Sequence, residues 1–314
     1  HRDLHSFPTR RSSDLSFPTL LNDGMLIKLF DNNSNLIAFV NYTSNWYNDA
    51  TRNNGGYSME CIDITNLAEG LNNWKASQAI EGGTPCAPNS VTGFNPDVIK
   101  PRVVATEVIE NKTIKISYSE PMDSLSFTLN GNYTLPANLG LLNINSSGDL
   151  FNEITITLAN PMEENQRYSL TVSNEVLDFA GNRIDEVDID FALPQTPLAN
   201  EIVINEVLFN PYTGGTDFVE LYNNSTKTFD LKKIYLSNRN SNTLELNETY
   251  PASDTARLLF PNEYVIICTN PAIVTQFYTV ENLKAIAWAS KLASFNNDKR
   301  SEEHTSELQS PNTI

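Results

Sequence analysis

The stretch from Ile204 to Asn223 reads INEVLFNPYTGGTDFVELYN, and it gives the clearest indication of the fold. Apolar residues at Ile204, Val207 and Phe209 predict a first strand, and the run FVELY predicts a second one. The intervening NPYTGGT is rich in residues that favour turn geometry. The stretch therefore predicts two β-strands joined by a glycine-containing turn.

The order of acid, apolar strand, turn and DFVELYN resembles the opening of a lamin-tail domain. That resemblance implies an immunoglobulin-like β-sandwich, of the kind found in nuclear lamins and in many large secreted bacterial proteins. We therefore expect residues 200–299 to hold the N-terminal part of such a domain. For the following run TFDLKKIYLSN, the resemblance implies that Leu231 and Tyr235 face the interior.

The two ends of the chain differ from the rest. HSFPTRRSSDL at residues 5–15 and RSEEHTSELQS at residues 300–310 resemble translations of sequencing-adapter DNA. We therefore interpret residues 1–15 and 300–314 as adapter-like artefacts around a fragment of a longer protein. All three histidines (His1, His5 and His304) lie in these ends. Catalytic triads and metal sites that need histidine are then excluded from the remaining sequence.

The composition is acidic, with 38 Asp and Glu against 21 Lys and Arg and a net charge of −17. A chain with this charge repels nucleic acid, so we predict no nucleic-acid partner. No apolar run approaches the ~20 residues that a membrane helix needs, so we predict no membrane span.

Residues 98–194 carry several markers in sequence: SEPMD at 119–123, NY at 132–133, YSLTV at 168–172 and DFAGN at 178–182. This order resembles the bacterial Ig-like domain first named from surface-layer proteins. Pro121 ends a strand because proline cannot donate to the ladder, and Gly181 supplies a turn residue for which positive φ costs little. We predict one whole sandwich here.

Residues 16–95 combine a GGYSME strand with a later NW, GGTP and NS. This order resembles the C-terminal part of a lamin-tail domain, except that Cys86 stands where the family usually has glycine. Cys61 and Cys86 could form a disulfide in an oxidising compartment, and two unpaired thiols are the equal alternative. The run FNND at 295–298 also resembles LLND at 20–23, which indicates a tandem array with neighbouring repeats of the same chain as partners.

We therefore predict an all-β fold of tandem Ig-like β-sandwiches, one whole and two partial. The predicted function is that of a non-catalytic extracellular or cell-surface module, structural or binding, from a large secreted bacterial protein. An extracellular protein or a glycan would be its partner. The alternative is an accessory region of a secreted nuclease, phosphatase or other hydrolase whose catalytic domain lies outside the fragment.

Carboxylates are the remaining candidates for chemistry. Glu206, Asp217 and Glu220 could ligate Ca²⁺, which is the one cofactor that the sequence admits. Asp188 and Asp190 alternate, so they share one strand face and could bind a cation, or could form an ordinary solvated face. Catalysis by these acids is a third interpretation, for which the sequence shows no cleft. We predict no catalytic residue.

Overall fold

The computed structural model describes residues 19–32, 36–66, 70–239, 243 and 245–293. The two ends that we interpret as adapter-like, residues 1–15 and 300–314, and the FNND run at 295–298 lie outside the described residues. The chain divides into two compact units, with the boundary in the sequence between Ile99 and Lys100. The described residues form β-strands with a few short helices, which confirms the all-β prediction.

The first unit contains two antiparallel strand pairs, β1 with β2 and β3 with β4. Its strands, with the short helix α1 before the last one, are β1 (Gly24–Phe30), β2 (Leu36–Thr43), β3 (Met59–Cys61), α1 (Gly70–Asn73) and β4 (Trp74–Ala76). Trp46 and Trp74 are half-buried, with ring centroids 6.0 Å apart. The tryptophans of this segment therefore pack against each other.

A buried carboxylate holds the loops of the first unit on β3. Glu60 is 3% exposed and accepts hydrogen bonds from Thr84 Oγ1 at 2.8 Å and from Ser90 N and Oγ at 2.7 Å. Burial raises the pKa of Glu60, but hydrogen bonds from Ser90, Thr84 and Ser77 outweigh it and leave the pKa below its ordinary value. The acid of the GGYSME strand thus fastens the distant GGTP and NS motifs.

Backbone proximity explains one glycine of the GGTP motif. Gly82 has φ +86°, and a Cβ built on it would lie 2.0 Å from the carbonyl oxygen of Gly56. Both the positive φ and the close approach exclude a larger side chain without backbone movement. The two glycine pairs of this unit, 55–56 and 82–83, are thereby brought together.

The second unit begins with the first sandwich, which we define as residues 100–194. Its sheets have the strand orders β5-β6-β9-β8 and β11-β10-β7. The strands are β5 (Val103–Glu110), β6 (Thr113–Tyr118), β7 (Tyr133–Thr134), β8 (Leu141–Ser147), β9 (Glu153–Leu158), β10 (Tyr168–Val172) and β11 (Val187–Phe191). Alternate residues of β6 and β9 are buried in one core with those of β10, as a two-sheet sandwich requires.

Two buried tyrosines join the halves of this core. Tyr118 Oη lies 2.8 Å from Tyr133 Oη, and Tyr133 donates to the carbonyl oxygen of Phe127 at 2.7 Å. Burial is the main cause that raises the pKa of both phenols, so both keep their protons at neutral pH. Tyr118 must therefore be the donor to Tyr133.

This direction of donation predicts unequal costs for removing the two hydroxyls. Tyr133→Phe leaves the Tyr118 hydroxyl and the Phe127 carbonyl unpaired, so we expect a loss of about 2 kcal/mol in the free energy of unfolding. Tyr118→Phe leaves the Tyr133 donation intact, and we expect about 1 kcal/mol. Hydrogen exchange of the β6 and β9 amides measures both. Equal losses would contradict the assigned direction.

The second sandwich, which we define as residues 195–293, continues the same unit. Its main sheet has the order β12-β13-β18-β19, with two-stranded pairs β14-β17 and β15-β16 beside it. The elements are β12 (Ile202–Leu208), β13 (Phe218–Asn223), β14 (Phe229–Asp230), β15 (Tyr235–Arg239), β16 (Leu246–Pro251), β17 (Leu258–Leu259), β18 (Tyr264–Cys268), α2 (Pro271–Phe277) and β19 (Ile286–Trp288). The hairpin predicted from the opening stretch is present as β12 and β13.

One predicted orientation is wrong. Leu231 is fully buried, as expected, but Tyr235 is 61% exposed. The Asp230 carboxylate accepts from Lys232 N and begins a single 3₁₀ turn, Leu231–Lys233, between β14 and β15. That turn shifts the alternation of the following strand, so Tyr235 points outward. Only a continuous strand through this run would have placed Tyr235 on the same face as Leu231.

Candidate binding cleft

A cleft of about 930 Å³ opens within the second unit, between the two sandwiches. β11 of the first sandwich contributes Asp188 and Asp190 to its lining. The outer face of the β12–β13 pair contributes Glu206 and Glu220, and β18 contributes Tyr264. The fold therefore brings four of the acids that the sequence analysis selected into one cleft, although they come from two domains.

Glu206 and Glu220 lie directly opposite each other on β12 and β13. Like charges in this position repel each other. Asn205 sits at a shift in the strand register and donates from Nδ2 to Glu220 Oε1 at 2.7 Å. Glu206 is exposed and Glu220 is half-buried. The irregularity at Asn205 thus supplies a donor to the less exposed of the two acids.

The third calcium candidate lies elsewhere. Asp217 is half-buried in the loop before β13 and does not line the cleft, and burial raises its pKa. Glu206, Asp217 and Glu220, all of them described residues, do not place three carboxylate oxygens within 4.8 Å of one another. Calcium binding by these residues stays a prediction.

Both aspartates of β11 are exposed and make polar contacts with neighbours in the first sandwich. Asp188 accepts from Thr171 Oγ1 at 2.6 Å, and Asp190 pairs with Arg167 Nη2 at 2.7 Å. Their side chains face the same side of β11, as the alternation predicts. Their exposure is that of an ordinary solvated strand face. These contacts hold each of the two side chains against a different neighbour.

The cleft has aromatic as well as acidic walls. Tyr264 packs on Tyr222 with ring centroids 4.5 Å apart, and Tyr222 donates to Asn262 Oδ1 at 3.3 Å. Arg257 also lines the cleft and donates to the Ile286 carbonyl oxygen at 2.9 Å, and burial lowers its pKa. The sequence shows no sign of these contacts, because each of them joins residues that are distant in the chain.

The three cysteines are free thiols in the structure. Cys268 is buried with Phe218 and Val274, as a small apolar residue would be, and burial raises its pKa to about 11. Cys61 is buried and Cys86 is exposed. Burial raises the pKa of Cys61, so that thiol stays protonated at neutral pH. A Cys61–Cys86 disulfide stays a prediction.

Comparison with solved structures finds similarity to bacterial S-layer protein SbsC. The N-terminal part of SbsC is 14% identical with a TM-score of 0.29, over 54% of this chain and 44% of that chain. A structure of SbsC domains 1–6 is 12% identical with a TM-score of 0.28, over 55% and 32%. This chain therefore spans less than half of either structure. TM-scores this low do not support a conclusion about function.

A search of curated protein sequences finds no significant match. Among the described residues, no helix has both the length and the apolar character needed to cross a membrane. Models of protein families match two parts of the chain. Residues 92–192 match the Bacterial Ig-like domain, and residues 195–313 match the Lamin Tail Domain. The chain thus contains one segment similar to bacterial Ig-like domains, followed by one similar to lamin-tail domains.

Proposed function

We propose that this chain is part of a non-catalytic structural module displayed at a bacterial cell surface. The observation that carries the proposal is the succession of the two matched segments, each a β-sandwich. Sandwiches of this kind are scaffolds that hold loops and neighbouring domains in position. Domains of the two matched families are generally non-catalytic.

The contacts of the acids in the cleft support the proposal. Asp190 is engaged by Arg167, Asp188 by Thr171, and Glu220 by Asn205. Each of these contacts joins neighbouring elements and so contributes to strand position. In this proposal the acids are part of the scaffold, and an extracellular protein or glycan binds at the exposed loops.

The charge of the chain agrees with a role at a surface. A net charge of −17 keeps a protein soluble at high local density and disfavours contact with polyanions such as nucleic acid.

External proteolysis of intact cells tests the location. We expect a protease added to the cells that make the protein to release fragments of this segment, while a cytosolic marker stays intact. The control is the same treatment after lysis. Full protection of the segment until lysis would overturn the proposal.

A further inference from the structure

Arg167, just before β10, contacts both sandwiches of the second unit. Its Nη2 lies 2.7 Å from Asp190 Oδ2 of the first sandwich, and its Nη1 lies 3.2 Å from Glu263 Oε1 of the second. The guanidinium carbon also sits 3.9 Å from the centroid of the Phe260 ring. Phe260 is buried, so the cation stacks on a fixed aromatic face. One side chain therefore makes three contacts at the junction, two of them across it.

A second charged contact crosses the same junction. Glu107 on β5 lies 3.0 Å from Lys232 Nζ of the second sandwich and 3.3 Å from Lys115 Nζ of its own. The Glu107 side chain is only 18% exposed. Burial raises its pKa, but hydrogen bonds and charges from Lys232 and Lys115 prevail and keep the pKa below its ordinary value. Glu107 thus stays ionised between two cations.

Apolar and backbone contacts complete the junction. Leu258 of the second sandwich packs against the core of the first. At the start of the second sandwich, Gln195 N donates to the Thr228 carbonyl oxygen at 2.9 Å, and Gln195 Nε2 donates to Asn165 Oδ1 of the first sandwich at 2.9 Å. Gln195 is therefore bonded to both sandwiches.

We propose that the two sandwiches are locked into one rigid body by Arg167 and Glu107, and that the half-exposed ion pairs of Arg167 make this lock sensitive to salt. Flexible linkers are the default between domains of one chain, because most interdomain interfaces are small and polar. Here two separate charged contacts flank an apolar contact, and rotation about the connection would break all three. The junction would be locked in this way whether or not the protein is displayed at a cell surface.

Hydrogen exchange of the full chain, read by mass spectrometry, tests the lock. The reporters are peptides that contain Gln195 and Phe260, whose amides donate to Thr228 O and to Glu263 Oε2. Arg167→Ala removes two ionic contacts and one cation–π contact, so we expect these amides to exchange about tenfold faster. The β6 and β9 amides report the fold of the first sandwich and the β13 and β18 amides report that of the second, and both sets should keep their wild-type rates.

Arg183→Ala is the matched control, because Arg183 forms an exposed ion pair with Glu175 inside the first sandwich. It should leave the junction amides unchanged. Wild-type protein in 1 M salt, where the Debye length is about 3 Å, should show accelerated exchange at the same amides without any substitution. This second measurement remains decisive if Arg167→Ala lowers β6 and β9 protection as well. Junction amides that change by less than about twofold in 1 M salt would overturn the proposal.

Discussion

Replacing Asn223 by alanine is expected to lower the free energy of unfolding of the second sandwich by about 3 kcal/mol or more. Asn223 ends the DFVELYN motif and is fully buried. Its Nδ2 donates to the carbonyl oxygens of Lys227 at 2.7 Å and Leu259 at 3.1 Å. Its Oδ1 accepts from Ser225 N at 3.1 Å and from Ser225 Oγ at 2.7 Å.

These bonds replace the ladder where β13 ends. The side-chain amide closes the turn from Asn223 to Lys227 and joins that turn to β17. Alanine would remove the partner of the buried Leu259 carbonyl and of the half-buried Lys227 carbonyl and Ser225 N–H, and a buried group left unpaired costs about 1–3 kcal/mol. The motif residue therefore has a structural role, since its side chain bonds backbone groups of Ser225, Lys227 and Leu259 where β13 ends.

Hydrogen exchange of the β13 and β18 amides measures the effect in the intact chain. Asn224→Ala is the control, because Asn224 is the same residue type one position later and is exposed. We expect the control to change the free energy by less than about 0.5 kcal/mol. Equal effects of the two substitutions would contradict the role assigned to Asn223.

Replacing Glu60 by glutamine is expected to cost the first unit about 2–3 kcal/mol at pH 7. The ionised carboxylate only accepts, and its partners Thr84 and Ser90 only donate to it. An amide puts an NH₂ group against one of these donors, so one hydrogen bond becomes a repulsive contact. Glu81→Gln, an exposed site in the same unit, is the control and should be nearly neutral.

The pKa of Glu60 gives this prediction a definite pH dependence. Its pKa in the folded protein lies below the ordinary value of 4.5. The carboxylate therefore contributes stability that is fully present above about pH 4.5, and that stability is lost as the pH falls through the folded pKa. The difference between wild type and Glu60→Gln should shrink as the pH is lowered from 7 to 3.

Urea unfolding in a Trp288→Phe background measures both effects, because the two remaining tryptophans, Trp46 and Trp74, belong to the first unit. The role assigned to Glu60 fails if Glu60→Gln and Glu81→Gln have the same midpoint at pH 7. It also fails if the gap between them is constant down to pH 3.

Strand positions could be predicted where one face of a strand is buried and the other is not. The alternation in TIKISY places Thr113–Tyr118 correctly, since buried and half-buried residues alternate along β6. The helix after Asn270 was also predictable, because Pro271 suits the first helical position and Asn270 caps the helix through Ile273 N. Such features depend on neighbours in sequence.

Features that depend on distant residues could not be predicted. Tyr235 was misplaced because a single capped turn at Asp230 resets the alternation. The stacking of Arg167 on Phe260 joins residues 93 positions apart, and nothing in either local sequence marks the pair. The cleft itself arises from the packing of one sandwich on the next, so the acids at 188, 190, 206 and 220 could be selected individually but not assembled.

Under the proposed function, this segment holds position and carries out no reaction. The most direct test replaces three acids of the cleft together, Asp188→Asn with Glu206→Gln and Glu220→Gln, in the protein as its own cell makes it. We predict that the triple variant is displayed at wild-type levels and fully complements a strain that lacks the gene. A variant that is displayed normally, yet leaves the cells with the defect of the gene-deleted strain, would contradict the claim.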